Sequence, residues 1–220
     1  MTADSAMTAR KAKHAVIVAH PDADSFTMAV ASAYCETVAA RGQVAVLRDL
    51  YRLGFDPVLK AAERPTGAPF TPAPDVAAEL EELRGADIFV LVYPIWFGAP
   101  PAMIKGYIER VFGAGFSGPT TAAHLHKPAH ALLGGKQLLT FTSSGSTKDW
   151  LDAQGAWLSL QTLFDGYLAR TFWMDTPDHV HFESIVEGVD ENVVRARLEE
   201  ARAKADGVCA RLARELARPA

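Results

Sequence analysis

The stretch from Ile88 to Gly106 constrains this chain more than any other. Ile88-Phe-Val-Leu-Val92 is a continuous apolar run of strand length, the pattern of a strand buried on both faces. It ends in Tyr93-Pro94-Ile95-Trp96-Phe97-Gly98 and restarts as a helix through Pro100-Pro101. Such a turn makes a stiff apolar shelf at the carboxyl end of a sheet, which is where open α/β sheets bind ligands. Backbone N–H groups left unpaired in the turn, beside the flat surfaces of Trp96 and Phe97, suit a planar ring system with acceptor atoms at its edge.

The rest of the chain alternates apolar runs with helical patterns. His14–Ala19 reads as a buried first strand, Ser25–Arg41 as a helix closed by Gly42, and Gln43–Leu47 as a second strand. The segment 55–74 is rich in Pro, Gly and Ala and reads as a surface excursion before a short helix over Asp75–Arg84. Ala86–Val92 is the third strand and Pro101–Phe112 the helix after it. Gln137–Thr142 is the fourth strand, followed by a helix over Asp149–Leu168. Arg170–Met174, with Val180–Phe182 as an extension, is taken as the fifth strand, and Asp190–Leu216 as a charged closing helix. Strands separated by helices of crossover length predict a parallel sheet with helices on both faces. With ligand loops after the first, third and fourth strands, the order 2-1-3-4-5 is the expectation.

Composition removes several classes of partner. Of 220 residues 49% are apolar and 22% charged, enough for a sizeable single core. The net charge of −4 and the absence of a basic, aromatic-interleaved cluster give no electrostatic footprint for nucleic acid or an anionic membrane. No apolar run reaches the length of a membrane span, and no secretory leader pattern is present. Cys35 and Cys209 lie far apart on predicted helices and read as reduced, buried packing residues, which places the chain in the cytoplasm.

Two further loops carry chemistry. His20-Pro-Asp-Ala-Asp-Ser25-Phe26-Thr27 joins the first strand to the first helix, with Ser25 as N-cap. The free N–H groups of a helix start attract phosphate, and His20, Ser25 and Thr27 add donors. Thr142-Ser143-Ser144-Gly145 ends the fourth strand in a small hydroxyl-rich turn, where Gly145 is expected to supply positive φ and allow close backbone approach. Gly113-Ala-Gly115-Phe-Ser-Gly118 fits the spacing of a dinucleotide fingerprint but follows a helix and precedes Pro119, the wrong context for one. His124, His126 and His130 share a loop but lack a completing ligand, so no metal site is expected. His179 and His181 alternate and read as structural histidines on one face of a strand. No nucleophile elbow, zinc-protease motif or P-loop occurs.

Taken together, Ala19-His20-Pro21 with Ser25-Phe26, Tyr93-Pro94-Ile95-Trp96 through Lys105-Gly106 with Glu109-Arg110-Val111-Phe112, and Gly135-Lys136 leading to Thr142-Ser143-Ser144-Gly145 resemble the flavodoxin-like NAD(P)H:quinone oxidoreductase family. The resemblance implies a flavodoxin-like three-layer α/β sandwich. Residues 1–13 are expected to be a disordered tail, and 14–220 a single flavin-binding domain. It also implies a flavoenzyme, a homodimer, in which NAD(P)H reduces the flavin and the flavin then passes two electrons to a quinone or similar azo or nitro acceptor. His20, Ser25, Phe26 and Thr27 would hold the flavin's phosphate end. Pro94, Ile95, Trp96 and Phe97 would hold the ring system, and Thr142, Ser143, Ser144 and Gly145 would close over its edge. The first loop inclines the cofactor towards FAD over FMN.

The sequence departs from the family where animal quinone reductases carry a Tyr and a His after the fourth-strand loop. Trp150 and Trp157 stand there and are read as substrate-pocket walls. Since the flavin itself carries the hydride, no catalytic side chain is named. A flavodoxin-type electron carrier and a nicotinamide-sensing regulatory subunit of an ion-efflux system are the alternatives that the same loops allow.

Overall fold

A computed structural model describes residues 10–64, 71–116 and 133–217. Five strands, β1 (Lys13–Val18), β2 (Val44–Asp49), β3 (Ile88–Pro94), β4 (Gln137–Ser143) and β5 (Asp178–Phe182), form one parallel sheet in the order β2-β1-β3-β4-β5. The expected order is therefore found. All seven residues of the central β3 are buried, and its side chains divide by the two-residue period of a strand. Phe89, Leu91 and Tyr93 join one core, while Ile88, Val90 and Val92 join the other. Each fully buried Leu, Ile or Phe in these layers contributes roughly 1.5–3 kcal/mol.

The first core packs under α2 (Pro74–Leu83) and under α3 (Ala102–Tyr107), which continues as a π-helical stretch over Ile108–Phe112 into α4 (Gly113–Phe116). The second lies under α1 (Phe26–Ala40) and α8 (Glu191–Leu216). In α8 the buried residues Ala201, Ala205, Val208, Cys209 and Leu212 recur at helical spacing, and the two alanines allow close approach to Val30, Ala31, Tyr34 and Val38 of α1. Cys209 is buried and Cys35 half-buried, and burial pushes the Cys35 thiol up to about 12.

A buried polar triad ties β1 to α1 and α8. His14 is fully buried, its Nδ1 2.9 Å from the Tyr34 hydroxyl and its Nε2 2.8 Å from Gln43 Oε1. Gln43 donates its amide to the Cys209 carbonyl, so its oxygen accepts from His14 Nε2–H and the Tyr34 hydroxyl donates to Nδ1. Desolvation holds this imidazole below its ordinary value, in the neutral form.

The excursion after β2 is clamped by charge to the helical segment that follows β3. Arg110, on the π-helical stretch, is 3% exposed; it donates to both oxygens of Glu63 and both of Asp75, and to the Asp56 carbonyl. Its guanidinium also sits 5.2 Å from the Phe55 ring centroid. Residues 65–70 of the excursion lie outside the described residues, as does the loop of His124, His126 and His130.

Several expectations need correcting. Arg170–Met174 is not a strand: Arg170 lies in α7 (Leu168–Thr171), and Trp173 at φ 58° ends the helix while Met174 N–H bonds to the Ala169 carbonyl. Phe172 and Met174 are buried because a left-handed helix terminus turns apolar residues back onto the core, which mimics strand alternation in the sequence. The expected helix over Asp149–Leu168 is broken into α5 (Lys148–Ala153), α6 (Ala156–Leu160) and a π-helical stretch over Gln161–Tyr167, since Gly155 adopts φ 69°. Residues 10–13, expected to be disordered, are ordered. Ala12 is buried, Lys13 opens β1, and Arg10 makes a bidentate pair with Asp87 at 2.6 and 2.9 Å.

Candidate functional site

Parallel strands all point their carboxyl ends one way, so the loops after β1, β3 and β4 emerge side by side. Together they line an open cleft of ≈ 590 Å³. The β1 loop supplies His20, Ser25, Phe26 and Thr27, the β3 loop Pro94, Ile95 and Trp96, and the β4 loop Ser143, Ser144 and Gly145. The cleft runs on along Ile185, Val186, Val189 and Val194, between β5 and the start of α8.

At one end stands the N-terminus of α1. Ser25 adopts extended backbone and its Oγ accepts from Met28 N–H at 3.3 Å, which leaves the N–H groups of the first turn facing the cleft with the positive end of the helix dipole. His20 Nδ1 lies 3.1 Å from both the N–H and the carbonyl oxygen of Asp22, which ties the ring to its own loop. Arg52 fixes this loop by donating to the carbonyls of both His20 and Pro21. Asp22 and Asp24 also line the cleft, and Asp22 Oδ1 is taken up by Asp24 N–H in a local turn.

The apolar shelf forms the middle. Ile95 N–H bonds to the Ser143 carbonyl at 2.7 Å, which joins the β3 and β4 loops. Trp96 N–H bonds to the Ala99 carbonyl, so it is not free as the sequence suggested; among the described residues the N–H groups of Phe97 and Gly98 lack an acceptor. Phe97 has φ 51° and a fully exposed ring, a strained conformation of the kind that concentrates at ligand sites. Trp96 lies 5.8 Å from His20, ring to ring, and links the shelf to the first loop.

The third loop differs from expectation in detail. Gly145 does not adopt positive φ, which falls instead at Phe97 and Gly98, in the turn beside the cleft. Thr142 is buried, its Oγ1 bonded to the His179 and His181 rings, and it does not line the cleft. Phe97, Trp150 and Trp157 do not line the cleft either. Trp150 is 54% exposed on α5. Trp157 is buried, its ring 4.9 Å from His179 and 5.0 Å from His181.

Those histidines are more than packing. His179 Nδ1 is 2.6 Å from Asp165 Oδ2, its Nε2 is 2.8 Å from Thr142 Oγ1, and the same hydroxyl is 2.8 Å from His181 Nδ1. Burial, then the neighbouring His179, lowers His181 to about 4. Asp165 escaped the sequence reading; its only signal is a carboxylate on the inward face of an apolar helix, in what proves to be a π-helical stretch. Beside it the buried Tyr93 hydroxyl has no hydrogen-bond partner among the described residues, and burial pushes its phenol up.

Comparison with known proteins fits this geometry. The family described as having the flavodoxin-like fold matches residues 12–206, and the chain belongs to it. An uncharacterised NAD(P)H oxidoreductase of Haemophilus influenzae is 33% identical over 137 residues, 62% of this chain and 66% of that protein. NAD(P)H dehydrogenase [quinone] 1 of Cavia porcellus is 30% identical over 150 residues, 60% of this chain and 53% of that protein. This chain thus spans about half to two thirds of the length of these curated relatives. Among solved structures, an NAD(P)H:quinone oxidoreductase from Methanothermobacter marburgensis superposes with a TM-score of 0.76 at 22% identity, covering 90% of this chain and 96% of that one. An FMN-dependent NADH-azoreductase from Bacillus anthracis, in complex with FMN, superposes at 0.65 with 16% identity, covering 90% and 99%.

Proposed function

We propose that this chain is a flavin-dependent NAD(P)H oxidoreductase that works in two half-reactions, with a quinone or a similar azo or nitro compound as acceptor. The observation that carries the reading is that three separate strand-end loops line one cleft, each with the donors or the flat apolar surface that one part of a flavin requires. His20, Ser25 and Thr27 with the start of α1 would hold the phosphate. Pro94, Ile95 and Trp96 would support the ring, and Ser143, Ser144 and Gly145 would meet its edge. The flavin supplies the hydride chemistry when bound. The chain's own residues bind and orient it, with the N–H groups of Phe97 and Gly98 as further donors in the turn that flanks the cleft.

Both FMN and FAD share the portion these loops would hold. The apolar wall of Ile185, Val186, Val189 and Val194 supports FAD, because it adds cleft surface that the smaller FMN does not need. The Bacillus anthracis azoreductase, described as complexed with FMN, supports FMN. Heat release and chromatography of the flavin taken up from an equimolar mixture decides between them.

A homodimer is part of the same proposal. Trp150, Leu158, Leu163 and Tyr167, on the α5–α6 segment and the π-helical stretch, are between 53% and 69% exposed, an apolar face that monomers seldom leave to water. Light scattering of the wild type and of Leu158→Glu tests it, with a dimer converted to monomer as the expected result. Among the described residues no helix is long and apolar enough to cross a membrane. With Cys35 and Cys209 as free thiols, a reducing cytoplasm is the compartment we infer.

A further inference from the structure

Behind the third loop, five polar side chains form an unbroken hydrogen-bonded file from a buried carboxylate to the cleft. Asp165 Oδ2 lies 2.6 Å from His179 Nδ1, His179 Nε2 2.8 Å from Thr142 Oγ1, Thr142 Oγ1 2.8 Å from His181 Nδ1, and His181 Nε2 3.2 Å from Ser144 Oγ. Ser144 lines the cleft, and its Oγ is also 2.8 Å from the Ser146 carbonyl oxygen. Sheet register brings the file together, since Thr140 pairs with His179 and Thr142 with His181. Asp165, Thr142 and Ser144 are 5%, 1% and 7% exposed, and the two half-buried imidazoles lie against the Trp157 ring.

Counting protons along the file gives two self-consistent arrangements. In one, His179 is neutral: Nδ1–H donates to Asp165, Thr142 donates to His179 Nε2, His181 Nδ1–H donates to Thr142, and Ser144 donates to His181 Nε2. In the other, His179 is an imidazolium: Nε2–H donates to Thr142, Thr142 donates to His181 Nδ1, His181 Nε2–H donates to Ser144, and Ser144 donates to the Ser146 carbonyl. Every link between His179 and Ser144 reverses, and the two arrangements differ by one proton. Only the second uses the Ser146 carbonyl. Thr140 Oγ1, 3.3 Å from Asp165 Oδ1, holds the carboxylate's other oxygen.

We propose that Asp165, His179, Thr142, His181 and Ser144 are a proton wire that stores one proton on the Asp165–His179 pair and exchanges it with the cleft at Ser144. His181 does not hold the charge. Burial and the adjacent His179 lower it to about 4, with Lys148 opposing and Glu183 favouring protonation, so it passes the proton as a neutral ring by exchanging tautomers. The proposal rests on the cleft being the redox site. Reduction of a quinone to its hydroquinone takes two electrons and two protons. Nicotinamide provides both electrons and one proton as a hydride equivalent and is oxidised to its cation. The second proton leaves Ser144 for the reduced acceptor while the file reverts to its first arrangement, and one proton from solvent reloads it.

The test is long-range ¹⁵N–¹H NMR of the histidine rings in the full chain, which reads the charge and tautomer of each imidazole during a pH titration. The wire predicts that His181 switches from the Nδ1–H to the Nε2–H tautomer in the same pH step in which His179 becomes an imidazolium. Thr142→Val uncouples the two and Thr142→Ser restores the coupling. A wild-type His181 that keeps one tautomer while His179 titrates overturns the wire, as does coupling that survives Thr142→Val. The wild-type titration stands as a test even if a variant does not fold. A second arm is the rate of the acceptor half-reaction, which in the wild type follows the NMR midpoint and in Thr142→Val loses that pH dependence. The NMR arm needs neither nicotinamide nor acceptor, so a chain that oxidises no NAD(P)H defeats the functional reading without deciding the coupled titration.

Discussion

Gly106 and Pro57 meet so closely that a Cβ on Gly106 would lie 2.2 Å from the Pro57 carbonyl oxygen. The contact is backbone to backbone, between α3 and the excursion after β2, so no side-chain rotation relieves it. Gly106→Ala therefore displaces the excursion or the helix that carries the shelf. We expect a loss of roughly 1–3 kcal/mol, the usual cost of overpacking, read by urea unfolding. A variant as stable as the wild type contradicts the close approach.

Arg110 makes the same excursion dependent on charge. Removing it leaves Glu63, 8% exposed, buried without its guanidinium. Arg110→Met should cost about 3–5 kcal/mol, far beyond an ordinary surface pair. The double variant Arg110→Met with Glu63→Gln should recover part of that loss in the same thermal melt, because the uncompensated carboxylate is gone.

Acid should weaken the fold before its carboxylates titrate. His14 and His181 are both held below their ordinary value of 6.5 by burial, so each favours the folded state above about that pH. Their contribution is lost as pH falls through the folded values, for His181 down to about 4. The melting temperature should drop across that window, and His181→Asn should flatten the drop. An unchanged slope in the variant argues against a buried neutral His181.

Trp96 and Ser25 test the two ends of the cleft separately. Trp96→Ala removes the flat surface and should weaken flavin binding on the order of tenfold, from an aromatic contribution of about 0.5–1.5 kcal/mol beyond area. Ser25→Ala removes the helix cap and should cost about 1 kcal/mol of stability as well as affinity. Fluorescence titration with FMN and FAD, beside a thermal melt, separates the effects.

The sheet order was legible because β1, β3 and β4 are apolar runs with unambiguous punctuation, and Ser25 and the Pro100-Pro101 pair mark helix starts by local chemistry. The three loops of the cleft followed from that order. β5 was read in part, as Val180–Phe182, because the inward histidines of Asp-His-Val-His-Phe are satisfied by partners on other elements, while Phe172 and Met174 imitate alternation at a helix end and drew Arg170–Met174 into the strand. Asp165 could not be found at all. Its meaning comes from His179, fourteen positions away, and from a π-helical stretch that turns it inward. Trp96 looked like a source of free N–H because its pairing with Ala99 depends on the turn that Phe97 makes at positive φ.

The central claim is tested most directly by absorbance spectroscopy of the purified chain reconstituted with FAD or FMN, titrated anaerobically with NADPH or NADH and then with a benzoquinone. The account predicts that the reduced nicotinamide bleaches the flavin band and that the quinone restores it, both within the time of a turnover. A bound flavin that neither nicotinamide can bleach would make the chain a carrier, and failure to bind either flavin would contradict the assignment of all three loops.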